Sequence, residues 1–318
     1  MKNGRIIFFG TPEFAVSILD ALITSEYDVT AVFTQTDKPK GRGNKVQMPP
    51  VKEYALEHGI PVYQPRTLRD DVVLDEIEAM APDMIVVAAY GKIFPKRLLD
   101  IPAYGCINVH GSLLPSYRGA APVQRSIING ETLTGVTIMR MDEGCDTGDM
   151  IAKTGIPIPE DMDCGGLFEI MGQVGSKLLV DTLPSVFDGT AVYEKQDPAL
   201  ATMSPKIEKT ELALDFSRPA KKLHDMIRGV YPLLVCGCVQ NSGKGKRNLR
   251  IAKAEVTEGE GVPGTVIRAD AKNGVLTVAC GEGALNIKEL IPEGKQKMSC
   301  ADYIRGRQIN EGDILSLQ

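Results

Sequence analysis

Hydrophobic and polar positions follow two different rhythms along this chain. Up to about residue 190, short unbroken apolar runs alternate with stretches of helical spacing. Ile6-Ile7-Phe8-Phe9 is the first run, and 29–34, 60–63, 106–109, 135–141 and 150–156 follow it. Met84-Ile85-Val86-Val87-Ala88-Ala89 is the most continuous. Runs of this length predict strands, and the unbroken ones read as buried on both faces. After the first strand, Phe14, Val16, Ile18, Leu19, Leu22 and Ile23 repeat at helical intervals. Thr11 is placed as the N-cap of that helix and Pro12 at its first position. Further helices are predicted over 51–57 (closed by Gly59 as C-cap), 72–80, a short turn from Pro95, 122–129 and 167–187. Strand and helix in alternation predict an α/β fold with a doubly wound, mostly parallel sheet.

The rhythm then changes. Short strands are predicted at 234–240, 249–256, 264–267, 275–279 and 284–290, with turns such as Lys272-Asn273-Gly274 between them. Their number and spacing predict a small β-barrel. A helix over 217–228, capped by Ser217, precedes the strands, and a capping box of Ser299 and Asp302 opens a last helix. The expected domains are 1–190 and 210–318, joined by a linker at 191–209 that holds Pro198 and Pro205.

Composition narrows the function classes. No apolar run reaches the roughly 18 residues of a membrane span. The N-terminal run is too short for a signal peptide and lacks a small-residue cleavage site, so a cytoplasmic protein is expected. The seven cysteines show no framework spacing, and Cys236-Gly237-Cys238 is not a zinc pattern, so reduced thiols and no metal are expected. Net charge is −5 but unevenly spread. From Pro205 onward, 18 Lys and Arg face 14 Asp and Glu, giving +4 and leaving −9 for the preceding residues. That asymmetry suits contact between the C-terminal part and phosphates.

Three stretches hold candidate chemistry. Gly10-Thr11-Pro12-Glu13 sits where a dinucleotide fold carries its glycine fingerprint but lacks it, which disfavours a nicotinamide enzyme. Asn108 and His110 alternate at the end of a strand, so both side chains leave one face. An amide there can donate to a developing oxyanion, and an imidazole can move a proton near neutral pH. On spacing alone, a histidine at a strand end such as His110 is more often a hydrogen-bonded structural residue than a catalyst; His58 and His224 read as structural. Downstream, Met141-Asp142-Glu143-Gly144-Cys145-Asp146-Thr147-Gly148-Asp149 is a Gly-rich acidic turn able to bring a carboxylate to His110. Between residues 35 and 45 lies a loop with Lys38, Lys40, Arg42 and Lys45, expected to be mobile and electropositive.

Taken together, Asn108-Val109-His110-Gly111-Ser112-Leu113-Leu114-Pro115, Tyr117-Arg118-Gly119-Ala120-Ala121-Pro122 and Asp146-Thr147-Gly148-Asp149 resemble the folate-dependent formyltransferases, in particular those acting on charged initiator tRNA. The resemblance runs from Ile6 to the last helix. It implies Asn108, His110 and Asp146 as the catalytic set. It implies a folate site along Ser112, Leu113, Leu114 and Pro115, with Tyr90 and Gly91 on the same rim. Lys38, Lys40, Arg42 and Lys45 would meet the tRNA acceptor stem, and the second domain would be an OB-like barrel touching tRNA. The implied reaction is formyl transfer from 10-formyltetrahydrofolate to the amino group of methionyl-tRNA for translation initiation, by a monomer without metal. The alternatives are a formyltransferase for a small amine, a formyl-folate hydrolase, and a non-catalytic tRNA-binding module with a degenerate α/β domain. One departure stands out: the family usually carries a Trp in an Asn-Pro-Trp-Pro stretch, and this chain has Gly229-Val230-Tyr231-Pro232.

Overall fold

The computed structural model describes residues 4–40, 45–243 and 245–317. In chain order the elements begin β1 (Arg5–Gly10), α1 (Glu13–Thr24), β2 (Asp28–Phe33), β3 (Lys38–Lys40), β4 (Lys45–Gln47), α2 (Pro50–Glu57), β5 (Val62–Tyr63) and α3 (Asp71–Ala79). They continue β6 (Met84–Ala88), α4 (Lys96–Asp100), β7 (Cys106–His110), α5 (Pro122–Asn129), β8 (Leu133–Arg140), β9 (Met150–Pro157) and α6 (Cys164–Asp188). The rest comprises α7 (Ala220–Val230), β10 (Cys236–Ser242), β11 (Gly245–Thr257), β12 (Val266–Asp270), β13 (Val275–Ala279), β14 (Ala284–Pro292), β15 (Met298–Ser299), α8 (Cys300–Arg305) and β16 (Ile314–Ser316). Two units result: Met1–Pro122, Leu133–Pro157 and Phe168–Pro205 form the first, and Val123–Thr132, Ile158–Leu167 and Lys206–Gln318 the second.

The first unit is built on a seven-stranded sheet of order β5-β2-β1-β6-β7-β8-β9. Neighbours from β5 to β7 are parallel, and β7–β8 and β8–β9 are antiparallel. The apolar runs end up where their continuity predicts: Ile6–Phe9 and Met84–Ala88 are buried on both faces. One face, carrying Ile7, Phe9, Ile85, Val87 and Cys106, packs under Leu74 and Ile77 of α3 and Leu98 of α4. The other, with Val109 and Val136, meets Ile18 of α1 around Gly175 of α6. Each large side chain fully withdrawn from water here stabilises the fold by about 1.5–3 kcal/mol. From β1 the chain winds outward through β2 to β5, then returns to β6 on the other side of β1. The connections leaving β1 and β6 therefore diverge, opening a crevice at their C-terminal ends.

Several boundaries differ from the sequence expectation, each for a local reason. Helix α1 starts at Glu13 with Pro12 at the cap and no side-chain cap bond. Thr11 instead accepts the Gln35 amide N–H at 3.4 Å. His58, not Gly59, is the C-cap of α2, and Gly59 follows it at φ +69°. The α7 helix begins at Ala220, because Ser217 donates both its N–H and its hydroxyl to Asp215. The polar loop 35–45 holds a hairpin, with Lys38 opposite Gln47 and Lys40 opposite Lys45. Residues 191–205, which read as linker, run along the first unit, Glu194 pairing with Met150.

In the second unit the strands form one antiparallel sheet of order β12-β13-β14-β11-β10-β16, with β15 beside β14. Its two ends meet: Val266 N–H donates to the Asp313 carbonyl at 2.8 Å and Leu315 N–H to the Gly264 carbonyl at 2.7 Å. The sheet thus curls into a small barrel, which removes its free edges. Cys236, Cys238, Leu249, Ile251, Val278, Leu285 and Leu290 are buried in this unit. Ser299 caps α8 by accepting the Asp302 N–H at 3.1 Å, while Asp302 accepts from the Ser299 hydroxyl at 2.7 Å. In α7, the buried Arg228 donates to the carbonyls of Pro159 and Met162 and to Asp225. Tyr231, in the stretch where the family usually has Trp, accepts a hydrogen bond from Lys297 Nζ at 3.0 Å.

Candidate active site

Strand β7 carries Asn108 and His110 on one face, as period-2 alternation requires. Parallel β6 brings Val87 opposite Asn108, and antiparallel β8 sets Met139 opposite Asn108 and Thr137 opposite His110. Both polar side chains are buried. His110 Nε2 lies 3.0 Å from the Tyr117 carbonyl. A carbonyl only accepts, so Nε2 is the nitrogen bearing hydrogen. Its other nitrogen, Nδ1, faces Asp146 Oδ1 at 3.6 Å, beyond a hydrogen bond, and the carboxylate attracts the ring only when both nitrogens carry hydrogen. Asp146 Oδ2 accepts the Gly119 N–H at 2.8 Å. Among the described residues no hydrogen bond reaches the Asn108 amide, which leaves its NH2 group available to a ligand oxygen.

The loop after β7 is held from several sides. Thr137 Oγ1 donates to the Ser112 carbonyl at 2.7 Å and accepts the Leu114 N–H at 3.1 Å. Ser112 Oγ donates to the Ser116 carbonyl at 2.6 Å. Leu113 lies over Gly135, where an added Cβ would come within 2.5 Å of its Cδ2. Leu114 packs on Met139 and Met150. Tyr117 and Asp146 both adopt left-handed backbone, φ +61° and +54°, which costs of order 1 kcal/mol or more each and persists only where neighbours hold it. For Tyr117 those neighbours are Thr202 and Ser204. Thr202 Oγ1 accepts the Tyr117 N–H at 2.8 Å, and Ser204 Oγ donates to the Tyr117 carbonyl at 3.0 Å.

The remaining residues singled out in the sequence fall into two groups. Tyr90 and Gly91 follow β6 at the diverging ends of the parallel strands. Gln35 Nε2 donates to the Tyr90 carbonyl at 2.8 Å, and Gly91 is exposed at φ +77°. The Tyr90 ring packs on Phe9 and Phe94, its hydroxyl has no partner among the described residues, and burial pushes that hydroxyl up to about 12. Beside them, Lys92 Nζ donates to the Pro65 and Arg66 carbonyls, and burial, then the Lys38 charge, push its ammonium below the usual lysine range. Lys38 is exposed on β3, and Lys40 and Lys45 are paired strand residues. Arg42 lies outside the described residues. Gln196, Thr137, Thr202 and Ser204 were not recognised from the sequence. They are uncharged; Thr137 lies inside the apolar 135–141 run, and the other three lie at or beyond residue 196 in what reads as linker.

Among the described residues no three His, Cys, Asp or Glu side chains gather to hold a metal ion, and no helix is long and apolar enough to cross a membrane. All seven cysteines are free, with Cys145 exposed and the others buried.

A mostly parallel sheet with an amide, an imidazole and a carboxylate gathered at its strand ends, followed in sequence by a curled antiparallel sheet, is the two-unit α/β architecture of a formyltransferase-type protein. The chain belongs to the formyl transferase family: residues 4–183 match the formyl transferase domain and residues 206–308 its C-terminal domain. It is 47% identical over 317 residues to a methionyl-tRNA formyltransferase of Trichlorobacter lovleyi, covering 99% of this chain and 98% of that one. It is 45% identical over 315 residues to a protein of the same name from Ruminiclostridium cellulolyticum, covering 98% and 99%. Among solved structures, HypX from Aquifex aeolicus in complex with tetrahydrofolic acid superposes with a TM-score of 0.66 at 16% identity. That likeness covers 95% of this chain, which spans about half of HypX (47%). A sugar 3N-formyl transferase, WlaRD, solved in the presence of dTDP and 5-N-formyl-THF, gives 0.66 at 18% identity, covering 93% and 100%.

Proposed function

We propose that the protein transfers the formyl group of 10-formyltetrahydrofolate to the amino group of methionyl-tRNA, making formylmethionyl-tRNA for translation initiation. The observation that carries this reading is end-to-end similarity at 43–47% identity to proteins named methionyl-tRNA formyltransferase, spanning both units. When bound, the folate supplies a formyl carbon on a nitrogen able to leave. The crevice between β1 and β6 suits such a ligand, with the Ser112–Pro115 backbone already held by Thr137 and Ser116. The free Asn108 amide donates to the formyl oxygen as negative charge gathers there; removing such a donor typically costs about 10²–10³ in turnover. His110 moves the proton, delivering it from Nε2 when a substrate atom replaces the Tyr117 carbonyl. Asp146 keeps the imidazole in place and attracts its charged form from the Nδ1 side. Lys38, Lys40, Arg42 and Lys45 meet the acceptor stem, and the net-positive C-terminal part lies along tRNA phosphates. On this reading the protein works as a monomer in the cytoplasm.

The test is incubation with 10-formyltetrahydrofolate and charged initiator tRNA, followed by hydrolysis and detection of formylmethionine. Formylmethionine formed in proportion to enzyme supports the reading. Formate release without acceptor, or formylation of a free amine alone, refutes it.

A further inference from the structure

We infer that Gln196 is a positioning residue for this reaction: its amide, held by Arg118, fixes the Asp146 turn against His110. Gln196 and Arg118 are both buried, 8% and 9% exposed. Gln196 Nε2 donates to the carbonyl of Asp146 at 2.8 Å and to that of Gly148 at 2.7 Å. Its Oε1 accepts from Arg118 Nε at 3.0 Å and Nη2 at 2.8 Å. All four polar valences of the amide that point inward are thereby used, and each lies on a chain segment that touches the imidazole.

The consequence follows from where those segments lead. Arg118 follows Tyr117, whose carbonyl meets His110 Nε2. Asp146 faces His110 Nδ1 and also accepts from Gly119, the residue after Arg118. One side chain thus couples the two groups that flank the ring. Asp146 sits in left-handed backbone, a conformation that a free turn would leave. The two carbonyls on one NH2 group hold that turn at both ends. Releasing them lets the carboxylate drift, and catalytic groups misplaced by about 1 Å can cost on the order of 10²-fold. The place calls for two N–H donors and an acceptor on one group. A carboxylate there has no hydrogen to give the two carbonyls, and a lysine has no acceptor for the guanidinium.

This inference rests on the formyl-transfer reading, so the experiment separates the two. The parent chain is first assayed for formylmethionine; its absence counts against the function. Turnover and KM for the formyl donor are then compared for Gln196→Ala, Gln196→Glu, Asp146→Asn and the double variant Gln196→Ala with Asp146→Asn. We expect Gln196→Ala and Gln196→Glu each to lose about 10- to 100-fold in kcat with KM within about threefold. In the Asp146→Asn background, Gln196→Ala should cost less than about threefold, because the carboxylate it positions is already gone. Gln196→Glu keeps the acceptor for Arg118 and carries the test if the alanine variant does not fold. Either variant with kcat near the parent's, or the full loss repeated in the Asp146→Asn background, overturns the inference. Amide hydrogen exchange at Gly119 gives a readout without substrate. It should quicken at least about tenfold in Gln196→Glu, and an unchanged rate overturns the inference whatever the activity.

Discussion

Replacing Thr137 by Val tests how the loop after β7 is held. The residue is fully buried in β8, directly opposite His110. Its hydroxyl serves two backbone groups of the proposed folate segment, the Ser112 carbonyl and the Leu114 N–H. Ser112 is fully buried and Leu114 is 2% exposed, so water reaches neither to compensate. A buried polar group stripped of its partner costs about 1–3 kcal/mol, so two such losses amount to about 2–6 kcal/mol. The added valine methyl returns about 1 kcal/mol at most, leaving an expected destabilisation of about 1–5 kcal/mol. Thr137→Ser is the control. It keeps the hydroxyl, gives up one methyl, and should cost about 1 kcal/mol. Denaturant titration measures both, and steady-state kinetics with formylmethionine detection measures the functional side. KM for the formyl donor should rise in the valine variant more than in the serine variant, because the segment expected to line the folate loses its anchor. A valine variant as stable as the serine variant, with KM unchanged, would show that the two hydrogen bonds carry no weight.

Three further outcomes are expected. His110→Ala, Asn108→Ala and Asp146→Ala should each lower turnover by about 10²-fold or more while the chain stays folded; a folded His110→Ala with near-normal turnover removes it from the catalytic set. In the second unit, burial pushes the Asp225 carboxyl up, but hydrogen bonds from Lys221 and Arg228, with His224 nearby at 3.8 Å, outweigh it and hold the group at about 2, below its ordinary 3.8. A depressed value stabilises the folded form above the unfolded value, so about 2 kcal/mol should be present at about pH 5 and above and fade as pH falls from about 4 toward 2. The stability gap between the parent and Asp225→Asn should close over that window; a gap independent of pH contradicts the assignment. Arg42→Ala should weaken use of methionyl-tRNA while formyl-folate binding persists, with Arg42→Lys rescuing only part, since a forked guanidinium fixes orientation where an ammonium is a point charge. Equal loss of both would make the 38–45 segment structural rather than tRNA-binding.

Much of the first sheet was readable in advance because burial on both faces leaves a local mark. Ile6–Phe9 and Met84–Ala88 are strands for want of any polar position, and their length bounds them. Asn108 and His110 share a face because a strand repeats every two residues, whatever surrounds it. The barrel strands were found by turn chemistry, which is equally local. Helix starts were less legible. Thr11 and Ser217 are good caps by type, yet Gln35 and Asp215 engage them in other bonds. The β3–β4 hairpin leaves no local mark in the sequence, because Lys38, Lys40, Lys45 and Gln47 show no apolar alternation.

Runs and periods in the residues thus set which segments become strands and which side chains share a face. They said nothing of the antiparallel turn from β7 into β8 and β9, nor of the partners of His110. Thr137 reaches Ser112 across 25 residues, and Gln196 reaches Arg118 across 78 and Asp146 across 50. Neutral amides and hydroxyls carry no periodic signal, and their partners exist only once the folded chain has closed those loops. The local pattern placed the imidazole at the strand end; tertiary packing chose the carbonyl, the carboxylate and the amide that surround it.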